Sequence, residues 1–190
     1  MSTFRTLVII AGGKSSRMKC DKALLPFNGF STLAEYQYRR FEAFFDVVYI
    51  SSKKNKFDFL CNLLEDTYET SSPLVALISI FETLDIEEVF VLSVDAPFVS
   101  TEVCEKLYAL AEHKNEVVVA KSNFGIEPLC AIYRRSILPI AKKMLKENKH
   151  RLQSLLEEVN IKEVYFEKDE LFMNLNHPHE YEDAILRLKV

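Results

Sequence analysis

The chain has 190 residues, 48% of them hydrophobic, enough to bury a substantial core without disulfides or a structural metal. A net charge of −4 argues against a general nucleic-acid binder that works by neutralising phosphates, and no apolar run approaches the roughly 20 residues of a membrane span. The four cysteines, Cys20, Cys61, Cys104 and Cys130, form no C-x-x-C pair and have no histidine at ligand spacing. They read as reduced thiols and, with no secretory-type leader in view, the expected location is the cytoplasm.

Thr6–Ala11 (TLVIIA) is a short apolar run rich in β-branched residues, as expected of a strand buried on both faces of a parallel sheet. After Leu33, residues Phe41, Phe44 and Phe45 share one helical face, and Val47–Ser51 forms a second strand-like run. Ser72 and Pro73 read as N-cap and first residue of a helix with Leu74, Leu77, Ile78 and Phe81 on one face. Val89–Val94 is a third run; Ser100 then caps a helix carrying Val103, Leu107, Leu110 and Ala111, and Val117–Ala120 is a fourth run. The second half is more mixed. Leu129–Arg134 and Glu163–Phe166 read as strands and Ser136–Glu147 and Arg151–Glu158 as helices; a last helix after Pro178 packs through Tyr181, Ala184, Ile185 and Leu188. This alternation predicts right-handed βαβ units in a single-domain α/β fold, Rossmann-like, with a mostly parallel central sheet and helices on both faces. No repeat or linker-like shift in composition divides residues 1–190.

Two of only four glycines, Gly12 and Gly13, directly follow the first strand, with Lys14, Arg17, Lys19 and Lys22 close behind. Glycine lets a phosphate approach the backbone without a Cβ in the way, and the loop after the first strand of such a sheet is a common phosphate cradle. A tight turn without a ligand is the plain alternative. A Walker A loop would align Gly13-Lys14-Ser15 but needs glycine where Val8 stands. A G-x-G-x-x-G fingerprint fails too, because no glycine follows Gly13 until Gly29.

Ala11-Gly12-Gly13-Lys14-Ser15-Ser16-Arg17-Met18, followed by Asp21-Lys22, matches the nucleotidyltransferase signature A-G-G-x-[SG]-x-R-M with a lysine shortly after. With Ser15 and the following D-K-A-L-L, the chain closely resembles the molybdenum cofactor guanylyltransferase (MobA) family. Further segments match in order: Glu65-Asp66 ahead of Ser72-Pro73-Leu74, Ser93-Val94-Asp95-Ala96-Pro97-Phe98, Pro128–Tyr133, and Asn174-Leu175-Asn176-His177-Pro178. The similarity runs from about Thr6 to Tyr181.

The resemblance implies a nucleotidyltransferase domain over residues 1–190, its N-terminal half binding the nucleotide and its C-terminal half contributing the acceptor side. The implied reaction is Mg²⁺-dependent transfer of GMP from GTP to the phosphate of molybdopterin or its molybdenum-loaded form, releasing pyrophosphate. Such chemistry needs cationic donors, backbone N–H groups and a divalent metal more than a covalent nucleophile. Arg17 suits the leaving phosphates through its planar fork, and Lys22 places a point charge near the α-phosphate. Asp95 closes an apolar run where a carboxylate is costly unless exposed or paired; the resemblance makes it the Mg²⁺ ligand, against a plain Asp-Ala-Pro turn. Ala11, Gly12 and Gly13 would contact the nucleotide, and Asp66 would accept from N1–H and N2–H₂ of guanine, against a reading as a surface acid. Asn174 and Asn176 would face the pterin phosphate and help complete the metal and acceptor site, although Asn176 also suits the cap of the last helix.

Lys19, Ser71-Ser72, His177 and His179 depart from the family pattern on the loop and the acceptor side. Expected partners are the two small molecules and, transiently, molybdoenzymes or proteins of the cofactor pathway, with no nucleic acid and no membrane. Two other readings compete: a cytidylyltransferase or related enzyme on a phosphorylated acceptor, and a non-catalytic nucleotide-binding or cofactor-carrier module.

Overall fold

The computed structural model describes residues 6–12 and 20–188. One seven-stranded sheet is built from β1 (Thr6–Ile10), β2 (Val47–Ser52), β3 (Asn62–Glu65), β4 (Glu88–Ser93), β5 (Val117–Ser122), β6 (Gly125–Arg134) and β7 (Ile161–Tyr165). The strand order is β3-β2-β1-β4-β6-β5-β7. Within it β6 alone runs antiparallel to its neighbours, β4 and β5, and the other pairings are parallel.

Strand β1 lies inside the sheet between β2 and β4, every residue buried, which is why it reads as an unbroken apolar run rather than an alternation. Leu7 and Ile9 join Phe90 and Leu92 on one face, while Val8 and Ile10 join Val89 and Val91 on the other. Each such side chain contributes roughly 1.5–3 kcal/mol on burial. Helices α1 (Leu33–Phe41), α3 (Thr101–Ala109) and α6 (Pro178–Arg187) cover the first face. Helices α2 (Pro73–Thr83), α4 (Leu138–Lys146) and α5 (Leu152–Leu156) cover the second. Every residue of α2 from Leu74 to Phe81 is buried, because α2 is sandwiched between the sheet and α4.

Several boundaries differ from the periodicity. Helix α1 stops at Phe41; Phe44 and Phe45 follow in a turn, and only Phe45 is buried with the core. Helix α3 ends at Ala109, leaving Leu110 exposed, and Ser100 makes no side-chain cap bond. Strand β7 begins at Ile161, two residues before the expected start, since its register is set by pairing with β5. Strand β6 is longer than expected because Gly125, at φ +129°, turns the chain into a hairpin with β5. The short β3 has too few residues to show a period. Ser72 does cap α2, its hydroxyl accepting from the Val75 N–H at 3.2 Å, with Pro73 next.

Candidate active site

Strand order reverses between β1 and β4. The connection after β1 passes through α1 on one face, and the one leading to β4 passes through α2 on the other. Such a switch point opens a crevice beyond the carboxyl ends of the strands. Pairing continues into it: the Ala11 N–H donates to Ser51 O at 2.9 Å, Asp66 N–H to Ser52 O at 3.1 Å, and Val94 N–H to Ile10 O at 3.1 Å. These bonds fix three chain segments around one cleft.

Lys22 bridges the cleft. It sits in a single turn, Lys22–Leu24, which Asp21 caps by accepting from the Ala23 N–H at 3.1 Å. Its ammonium pairs with one Asp95 carboxylate oxygen and donates to Asn176 Oδ1 at 3.0 Å. The Ser93 hydroxyl donates to the other Asp95 oxygen. Only 14% and 15% of the Lys22 and Asp95 side chains are exposed, so the charge compensation is mostly sheltered from solvent. Leu175, wholly buried, pins Asn174 and Asn176, and its N–H donates to the Asp95 carbonyl at 2.9 Å. Asn176 is therefore not the cap of α6. His177 holds that position, and Glu180 accepts from the Asn176 and His177 N–H groups, freeing the Asn176 amide for Lys22.

At the end of β3, Asp66 accepts from the Ser51 hydroxyl at 3.1 Å, and the next residue is tied to α2 by the Thr67 N–H to Ser79 Oγ bond at 3.3 Å. Half-burial pushes the Asp66 carboxyl above its ordinary value, with Ser51 and Lys53 pulling the other way. A Cβ on Gly12 would sit 3.7 Å from Asp66 Oδ2, an ordinary contact. Among the described residues, neither packing nor a positive φ requires glycine at position 12. Gly13, Arg17 and Lys19 lie outside the described residues.

A cavity of about 440 Å³ opens on the other side of Asp95, between Ser93, Glu127, Arg151, Asn174 and Asn176. Burial raises the Glu127 carboxyl, offset in part by the Ser122 hydroxyl at 3.0 Å. Among the described residues no group of three or more His, Cys, Asp and Glu side chains could enclose a metal ion. The Asp95 carboxylate and the Asn176 amide oxygen, both bonded to the Lys22 ammonium, are hard oxygen donors of the kind a divalent cation takes together with water and phosphate oxygens.

Residues 7–164 match the family model for the MobA-like NTP transferase domain. The chain belongs to that family. The molybdenum cofactor guanylyltransferase of Campylobacter jejuni subsp. doylei is 38% identical over 184 residues, covering 96% of each chain. The protein of the same name from Helicobacter pylori (strain G27) is 37% identical, over 96% of this chain and 92% of its own. Among solved structures, the molybdopterin-guanine dinucleotide biosynthesis protein A of Archaeoglobus fulgidus superposes with a TM-score of 0.84 at 19% identity, covering 97% of this chain and 98% of that one. A CMP:2-keto-3-deoxy-manno-octonic acid synthetase, at TM-score 0.76 and 14% identity, shares the fold over 98% of this chain and 99% of its own. The expected α/β fold and the resemblance to the MobA family are both borne out.

Within this MobA-like domain, several residues at the cleft are absent from the motif reading. Gln37 falls on the apolar stripe Leu33-Gln37-Phe41, and all three are fully buried. A polar residue on a buried stripe is a readable signal. Its amide donates to Ala96 O at 3.0 Å, with Val94 O at 3.4 Å, and its own oxygen accepts from Arg40 Nη1 at 3.0 Å. Arg40 in turn donates to the Pro97 and Val99 carbonyls. Together they clamp the segment that begins with Asp95. Nothing in the spacing of Lys56, Glu127 or Arg151 marks them, because loops and strands distant in sequence bring them to the cleft.

Proposed function

We propose that this protein transfers GMP from GTP to the phosphate of molybdopterin or its molybdenum-loaded form, releasing pyrophosphate. The observation that carries the reading is the convergence of Lys22, Asp95 and Asn176 at the switch point, one residue from each of the three segments such a reaction must bring together. The relatives named as guanylyltransferases support the choice of substrates, and Asp66 supports guanine, since a carboxylate can accept from both N1–H and N2–H₂ where cytosine offers no such pair.

The acceptor needs no proton removed, because a phosphate dianion is already nucleophilic. One of its oxygens bonds to the α-phosphorus of GTP as the bond to the β-bridging oxygen breaks, and pyrophosphate leaves with that electron pair. This chain's task is to align the two anions and offset their charge. Lys22 does so at the α-phosphate. Gly12 admits the triphosphate against the backbone, and Arg17 is assigned to the leaving phosphates. With Lys22 turned to the α-phosphate, the Asp95 and Asn176 oxygens that it bonds here would hold Mg²⁺, which supplies charge neutralisation at the phosphate oxygens. Arg151 and Asn174, across the 440 Å³ cavity, offer a cation and an amide to the acceptor. The whole chain works as one domain, the nucleotide bound by its first half and the acceptor by its second.

The test offers purified protein with Mg²⁺ each of GTP, CTP, ATP and UTP, with and without molybdopterin, and measures pyrophosphate. Release that needs both GTP and molybdopterin is expected. Release with CTP but not GTP overturns the guanylyl assignment, and no release with any pair favours a carrier role.

A further inference from the structure

Ala11 precedes and Asp21 follows the glycine loop in the chain, and Lys56 touches both. Its ammonium donates to the Ala11 carbonyl at 3.1 Å and pairs with Asp21 Oδ2. Lys56 belongs to neither end; it comes from the connection between β2 and β3. That connection is shaped to aim it inward. The Ser52 hydroxyl donates to Lys54 O at 2.6 Å, the Phe57 N–H donates to Asn55 Oδ1 at 3.1 Å, and the buried Phe57 ring anchors the turn beneath Lys56. Lys53, which lines the same 240 Å³ cavity beside Gly12, turns outward to the Glu69 carbonyl instead.

Asp21 is the relay. One oxygen takes the Lys56 ammonium, while the other caps the turn that carries Lys22 through the Ala23 N–H. The Asp21 carbonyl accepts from the Leu24 N–H at 3.0 Å, closing that turn. The Lys56 side chain is 18% exposed and that of Asp21 34%, so this pair is partly sheltered rather than fully solvated. We infer that Lys56 is a positioning residue for nucleotidyl transfer, holding both ends of the nucleotide loop and, through Asp21, aiming Lys22 at the reacting phosphate.

The inference rests on the reading of Lys22 as a nucleotide contact, and the variants separate the two. Kinetics with GTP and molybdopterin would be measured for K56M, K56R, D21N, K56M/D21N and K22A, alongside thermal melts. D21N removes the charge that Lys56 pairs with but keeps an oxygen to cap the turn. K56M and D21N are each expected to lower kcat/KM for GTP about tenfold or more, the scale of one lost charge-assisted hydrogen bond. The double variant should be no worse than the poorer single one, since both break one linkage. K56R, which keeps the charge and the donors, should recover most of the loss.

If K56M lowers the melting temperature yet leaves kcat/KM unchanged, or if the K56M and D21N losses multiply, the positioning role is wrong. Should K56M fail to fold, D21N and K56R still decide: an unimpaired D21N rules the relay out. Full turnover in K22A would instead remove the underlying assignment of Lys22, whereas a dead K22A beside an unimpaired K56M removes the role of Lys56 alone.

Discussion

Replacing Gln37 by leucine keeps the buried volume of α1 close to its present value while removing the clamp on the Asp95 segment. Two good bonds disappear, from the Gln37 amide to Ala96 O and from Arg40 to the Gln37 oxygen, both 3.0 Å long. The first is a neutral pair contributing about 1 kcal/mol, and the second involves a charge and contributes about 1.5–3 kcal/mol. Added hydrophobic burial of leucine offsets part of this, leaving a net loss of about 2–3 kcal/mol. In a domain of this size that lowers the melting temperature by about 4–12 °C. Arg40 keeps its bonds to the Pro97 and Val99 carbonyls, so the fold should survive. Asp95 loses its register, and because misplacement of reacting groups by about 1 Å can cost on the order of 100-fold, kcat should fall at least tenfold well below the melting temperature. Thermal melts and pyrophosphate release from the same preparation check both parts. A destabilised Q37L with wild-type kcat would show that Asp95 is not held through Gln37; an unchanged melting temperature would show that the clamp adds nothing net to the fold.

Asp66 gives a pH prediction. Its folded carboxyl is raised above the unfolded value, so the native state binds that proton more tightly and ionisation disfavours folding. D66N should therefore gain stability over the wild type at neutral pH, a gain that fades as pH falls through the raised pKa toward the ordinary carboxylate range; melts across that window check it. If Asp66 accepts from guanine as proposed, its ionised form is the one required, so KM for GTP should rise on acidification in the wild type and lose that dependence in D66N, which should also lose its preference for GTP over ATP. On the acceptor side, Arg151→Ala should raise KM for molybdopterin about tenfold and leave KM for GTP unchanged, as steady-state kinetics with each substrate varied in turn would show.

The glycine-rich motif, the strands β1, β2, β4 and β5 and the identity of Lys22, Asp66, Asp95, Asn174 and Asn176 as candidates were legible in the chain, because each rests on a local pattern. An apolar run marks a strand buried on both faces, and a motif of fixed spacing marks a loop whatever surrounds it. Residues whose role depends on distant partners were not. Asn176 suited a helix cap as well as a ligand contact; in the fold His177 holds the cap position and the Asn176 amide oxygen meets Lys22. Gln37 left only a trace, a polar side chain on an apolar stripe, and Lys56 left none among three lysines in four positions, Lys53, Lys54 and Lys56. By itself the sequence determined the fold class and the list of candidate groups, since hydrophobic periodicity and motif spacing are properties of neighbouring residues. Only the tertiary structure decided that Lys22 meets Asp95 across 73 positions and Asn176 across 154, because that meeting is made by strand order at the switch point and by no interval along the chain.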